Sequence, residues 1–118
     1  MAAPNILNAS NCVGKTTAYT ATATLTAVVT NAASSNTLYK INTIVATNST
    51  ISAAAVSIEL YRNVTSYPIA SNITIPAGTM LSIIGKDTPI YLEEGDTLRI
   101  NSGTSGSITT ITSYEVIS

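Results

Sequence analysis

Apolar and polar residues alternate along most of this chain, and the period is two. Between Ile51 and Tyr61, Val56, Ile58 and Leu60 alternate with Ser57, Glu59 and Tyr61. That is the pattern of a strand with one face buried and one wetted. Ser107 to Ile117 repeats it, with Thr109, Ile111, Ser113, Glu115 and Ile117 on one face and Ile108, Thr110, Thr112, Tyr114 and Val116 on the other. Leu38 to Thr47 differs. Tyr39, Ile41, Thr43 and Val45 share one face and Leu38, Lys40, Asn42, Ile44 and Ala46 the other, so both faces hold apolar residues and the strand is expected at the centre of its sheet. Shorter strands are expected at Lys15 to Thr20, Thr24 to Thr30 and Tyr67 to Ile75. Pro68 lacks a ladder donor and places its segment at an edge or a strand start.

Ile75 to Ile100, IPAGTMLSIIGKDTPIYLEEGDTLRI, is the most strongly punctuated stretch. Pro76-Ala77-Gly78 and Glu93-Glu94-Gly95-Asp96 each separate runs of β-branched and apolar residues. Proline pre-sets φ early in a turn and glycine accepts positive φ, so both read as tight turns. Ala21 to Ala23 reads as a bend, Asn48 to Thr50 as a turn, and Asn31 to Asn36, Arg62 to Ser66 and Asn101 to Gly106 as connections. No helix-length stretch of period 3.6 intervenes. Eight or nine short strands with turns every eight to twelve residues predict an all-β, two-sheet antiparallel sandwich. The pattern leaves jelly-roll and immunoglobulin-like topologies open. Residues 1–14 have little periodicity and are expected to form a flexible arm, with residues 15–118 a single domain.

Composition sharpens this. Thr, Ile and Val make up 42 of the 118 residues, and all three suit pleated backbone. There are six Tyr but no Phe or Trp, so the core must be aliphatic and thin, and subunit contacts are expected to support it. Charged residues are 9% of the chain and the net charge is -1. Such a surface cannot neutralise phosphates, which argues against nucleic acid. It also resists self-association poorly. No apolar run reaches the ~18 residues of a membrane span. No signal-peptide pattern opens the chain, and Cys12 has no internal partner, so synthesis in a reducing cytoplasm is expected.

Candidate chemistry is sparse. Gly14-Lys15-Thr16 matches the end of a phosphate-binding loop, but Ala9 stands where the motif needs glycine and a strand follows where it needs a helix. Histidine is absent, which removes the commonest general base and leaves Cys12 nothing to activate it as a nucleophile. Glu93, Glu94 and Asp96 around one glycine read as a solvated turn rather than a calcium site, which wants six to eight oxygens. Glu59, Asp87 and Glu115 offer no evident carboxylate pair across a cleft. The sequons at Asn48, Asn63 and Asn72 are expected by chance in a chain this rich in Asn, Ser and Thr, and the tyrosines are scattered over different strands. No catalytic, cofactor-binding or metal residue is therefore expected, no cofactor, and no enzymatic activity.

From Lys15 onward the chain resembles the small β-sandwich structural proteins of tailed bacteriophages, especially those of cyanobacteria. The resemblance rests on Ala27-Val28-Val29-Thr30-Asn31, Leu38-Tyr39-Lys40-Ile41-Asn42-Thr43-Ile44, Ile75-Pro76-Ala77-Gly78-Thr79, Pro89 to Ile100, and Ser113-Tyr114-Glu115-Val116-Ile117. It implies a virion structural protein made in the host cytoplasm, above all a capsid decoration or cement protein. The partners expected are copies of the chain itself and other virion proteins such as the major capsid protein; a homotrimer would suit a cement protein at local three-fold axes and would support the thin core. Neck, tail or fibre components, including a glycan-binding module, are the alternative. It supplies no functional residue, and neither nucleic acid nor membrane is an expected partner.

Overall fold

A computed structural model describes residues 10–85 and 87–118. Nine strands follow one another: β1 (Cys12–Thr20), β2 (Thr26–Thr30), β3 (Leu38–Asn48), β4 (Ala54–Arg62), β5 (Thr65–Ile75), β6 (Thr79–Ile84), β7 (Ile90–Leu92), β8 (Thr97–Ser102) and β9 (Ile108–Ile117). One sheet has the order β1-β9-β3-β6, with β7 also pairing β3; the other has the order β2-β8-β4-β5. Every pairing is antiparallel. With short β7 set aside, β4 and β5 are the one consecutive pair that shares a sheet. All other connections cross from sheet to sheet, and the first and last strands lie side by side. This is the jelly-roll arrangement; an immunoglobulin fold would pair its first two strands in one sheet.

The turns in the punctuated stretch are where the sequence places them. Thr79 N–H donates to the Pro76 carbonyl at 3.3 Å and Asp96 N–H to that of Glu93 at 3.0 Å. Gly78 and Gly95 take φ of 69° and 89°, a conformation that side-chain-bearing residues resist. Strand β5 is an edge strand, and Pro68 costs it nothing there.

Three expectations need correction. The first strand begins at Cys12, three residues before Lys15, and Ser10 and Asn11 already bond to the carbonyl of Ser118. The remainder of the expected arm, residues 1–9, lies outside the described residues. The expected connection Arg62 to Ser66 shrinks to a two-residue turn, Asn63-Val64. Finally, β3 is central, but its two apolar faces have a different cause. A bulge between Ile41 and Thr43 shifts the register, so that Ile41 and then Ile44, Ala46 and Asn48 all face inward.

Ile41, Ile44, Val56, Ile58, Leu92, Leu98, Ile100 and Ile108 are fully buried and fill the space between the sheets. Tyr39 and Tyr114 stack at the margin of this core, centroids 5.6 Å apart. The loops gather at two poles. Segments 31–37, 63–64 and 93–96 form one, together with Ser10 and Ser118; segments 21–25, 49–53, 76–78 and 103–107 form the other.

Candidate functional site

Each pole is closed by a buried asparagine. At the first, Asn31 donates its amide to the carbonyls of Thr37 (3.0 Å) and Leu92 (2.9 Å) and accepts from the hydroxyls of Ser35 and Thr37. At the second, Asn48 donates to the carbonyls of Ser52 (2.8 Å) and Ile75 (2.9 Å) and accepts from Thr50. Both are 0% exposed. Four satisfied hydrogen bonds use an amide's full capacity, so these residues hold loops and have nothing left for a ligand. The same burial removes Asn48 as a glycan acceptor; Asn63 and Asn72 are on the surface.

The acidic turn is organised by a cation that sequence reasoning did not connect to it. Arg62 enters from the end of β4 and grips Asp96 with Nε at 2.8 Å and Nη2 at 2.5 Å, while Nη2 also reaches Glu93 at 3.0 Å. Asp96 is 2% exposed and also accepts from the Glu93 N–H at 2.8 Å. A buried carboxylate needs this degree of pairing. The Asp96 partnership holds the Arg62 guanidinium above its usual pKa. Glu94 turns away to accept the Asn36 N–H at 2.8 Å. Glu93 and Asp96 thus converge on one guanidinium, while Glu94 is turned to a backbone amide, so the three carboxylates do not gather around a single point. Arg99 behaves likewise on β8: it pairs with Glu59 and stacks 3.9 Å over the ring of Tyr61.

The outer face of the β1 sheet carries a shallow concavity of about 310 Å³, lined by Cys12, Lys40, Tyr91, Glu115 and their neighbours. Glu115 accepts the Cys12 thiol at 2.9 Å and the Asn42 amide at 2.8 Å. Those bonds, the thiol first, lower the carboxyl's pKa, and the same contact raises that of Cys12, because a thiolate would lose the bond and face a carboxylate. A raised thiol is the opposite of an activated nucleophile. Gly14, Lys15 and Thr16 lie extended within β1, not in a turn before a helix, so their amides do not converge on a phosphate. Asp87 is exposed in the connection between β6 and β7.

The feature that does stand out is the distribution of charge. No Asp, Glu, Lys or Arg occurs in segments 16–39, 41–58, 63–85 or 100–114. In the linear chain these gaps look unrelated. The antiparallel register stacks them, so the charged residues of the described strands and of the 93–96 turn all lie in the half of the sandwich towards the first pole, and Asp87 sits in the connection between β6 and β7, level with the middle of β3. Among the described residues the other half carries no Asp, Glu, Lys or Arg, and it exposes Ile51 (97%), Met80 (64%), Ile111 (45%), Leu25, Ile73 and Leu81.

No protein-family model matches the chain, and no curated protein matches it in sequence. Solved structures do. A chain from the Bacillus endospore appendages, described as a family of disulfide-linked pili, aligns over 99% of this chain and 95% of its own length, with a TM-score of 0.57 at 17% identity. The infectious bursal disease virus particle, strain Gx, contains a chain that matches 92% of this one over 32% of its own length, at 12% identity and a TM-score of 0.49. A pentameric capsid protein from metagenomic phage sequences matches 85% of this chain and 60% of its own, at 21% identity and a TM-score of 0.41. At such identities the likeness is one of fold: this chain is a two-sheet β-sandwich similar to a pilus subunit along nearly its whole length.

Proposed function

We propose that this protein is a non-enzymatic structural subunit that assembles with copies of itself, and that its place is in a bacteriophage particle as a capsid decoration or cement protein. The observation that carries the proposal is the segregation of charge. Among the described residues, the half of the surface towards the second pole has no Asp, Glu, Lys or Arg and shows isolated large aliphatics, while the charges of the strands and of the acidic turn are gathered towards the first pole, where Glu59, Glu93 and Asp96 are paired with Arg62 and Arg99. The cores of protein interfaces are depleted in charge in this way, because a charge desolvated without a partner is costly. The placement in a phage particle is supported by the resemblance carried by the strand and turn segments named above. In a density gradient of the lysate that produces it, the protein should sediment with particles, and gentle release of it should lower their heat resistance. Recovery of the protein entirely at the top of the gradient would overturn the placement.

A second reading, a fibre subunit, is favoured by the extent of the likeness to the endospore pilus chain. Those pili are disulfide-linked. This chain has one cysteine, and one thiol per subunit forms one bond, which joins two subunits and stops. A fibre of this protein would therefore be held by non-covalent contacts. On a non-reducing gel it should run no larger than a dimer, and a ladder of higher species would contradict this.

A further inference from the structure

We infer that the outer face of the β1-β9-β3-β6 sheet, on the side of the uncharged pole, is a self-complementary surface that packs against the same face of a second copy. The inference rests on the proposed self-assembly and names the surface that performs it.

The register builds this face in three rows. Thr16, Ser113 and Thr43 are cross-strand neighbours; Ala18, Ile111, Val45 and Ser82 form the next row; Thr20, Thr109, Thr47 and Met80 form the last. Their alternates along the strands, among them Ile44, Ala46, Ile108, Thr110 and Thr112, are buried inside, so these eleven side chains point outward. None is ionisable. Ile111 lies at the centre, 45% exposed, with Ala18 and Val45 beside it and Met80, 64% exposed, at the margin. The next level towards the other pole changes character: Lys40 and Glu115 oppose one another there, beside Tyr91.

A second copy is the occupant this chemistry fits. In a two-fold contact each residue near the axis meets its own equivalent, so any charge there would face a like charge, at a cost. A face without charges escapes that penalty. Hydroxyls of Thr and Ser can each donate or accept, so a Thr-Ser surface pairs with itself without needing a complementary pattern. The opposite sheet's outer surface at the same pole, with Ala55, Ser57, Thr74 and Asn101, is also uncharged but lacks a large aliphatic at its centre. From strand and residue spacings the three rows cover roughly 360 Å² of sheet plane. That is below the ~800 Å² per partner of a standard interface. The contact therefore extends onto the adjoining loops, where Leu25 and Ile51 are exposed. Pairing of this kind is two-fold, so the homotrimer expected from the sequence would need a different, heterologous surface.

The test is sedimentation equilibrium of the full chain, compared with Ile111→Glu, Met80→Glu and, at the other pole, Val64→Glu, each checked for a native circular-dichroism spectrum. Glutamate at either face position should raise the dissociation constant at least tenfold, while Val64→Glu leaves it unchanged. If the unsubstituted protein assembles and both face variants assemble as tightly, this face is not the contact, although the self-assembly reading survives. If the unsubstituted protein is monomeric throughout the micromolar range, both fail.

Discussion

Val64 is the residue whose conformation fits its identity worst. It stands 85% exposed at the second position of the β4–β5 turn with φ of 59°, next to Asn63 at 51°. Two successive positive φ values define the turn type that suits tightly paired strands, and Asn-Gly is its preferred pair. Asn63 belongs there. Val64, β-branched, pays a steric penalty on the order of 1–3 kcal/mol. Val64→Gly should relieve that strain at a smaller entropic cost to folding and raise stability by about 1 kcal/mol, read as a higher urea midpoint with an unchanged slope. Glu115 is a second case. Its pKa is lowered in the folded protein by the Cys12 and Asn42 hydrogen bonds, so the stability it contributes is present above the unfolded value and is lost as the pH falls through the folded one. Glu115→Gln should therefore flatten the loss of stability on acidification below about pH 4. The same substitution should speed alkylation of Cys12 at mildly alkaline pH, because it removes the carboxylate that raises the thiol. An unchanged rate would show that the contact does not persist in solution.

At the scale of elements, the strands were legible because each states its own period, and the turns because proline and glycine mark them. The order of strands was not. Both sandwich topologies accept the same list of strands, and what separates them is which distant segments pair. The bulge in β3 was equally hidden. A one-residue shift moves the apolar set from one face to the other, and from sequence it shows only as a strand apolar on both sides. The loop clamps were missed for a related reason. Asn31 and Asn48 look like ordinary loop and turn residues, yet each gathers carbonyls from segments 27 or 61 residues away. Asn31→Ala would strand the buried carbonyl of Leu92 and two hydroxyls, and it should cost about 2–4 kcal/mol given ~1–3 kcal/mol per abandoned buried group. For comparison, Ile58→Ala in the core should cost about 2–5 kcal/mol. Thermal unfolding of both variants tests whether the polar clamp rivals a core isoleucine.

On the scale of the whole molecule, the candidate surface was half legible. The scarcity of charge was visible in composition and pointed to a surface that tolerates neighbours. Its segregation was not visible, because the uncharged segments are dispersed along the chain and are brought together only by antiparallel pairing. The thin aliphatic core acts in the same direction. With no Phe or Trp, the sandwich has little apolar area in reserve, and any copy bound to the folded state stabilises it by mass action. The thermal midpoint should therefore rise with protein concentration. The central claim, that the protein is built to assemble, is tested most directly by its mass in solution, measured by light scattering across a concentration series. A self-assembling subunit should give a discrete oligomer, an integral multiple of the 12.2 kDa chain that gains population with concentration. A constant mass of one chain, up to the solubility limit, would contradict it.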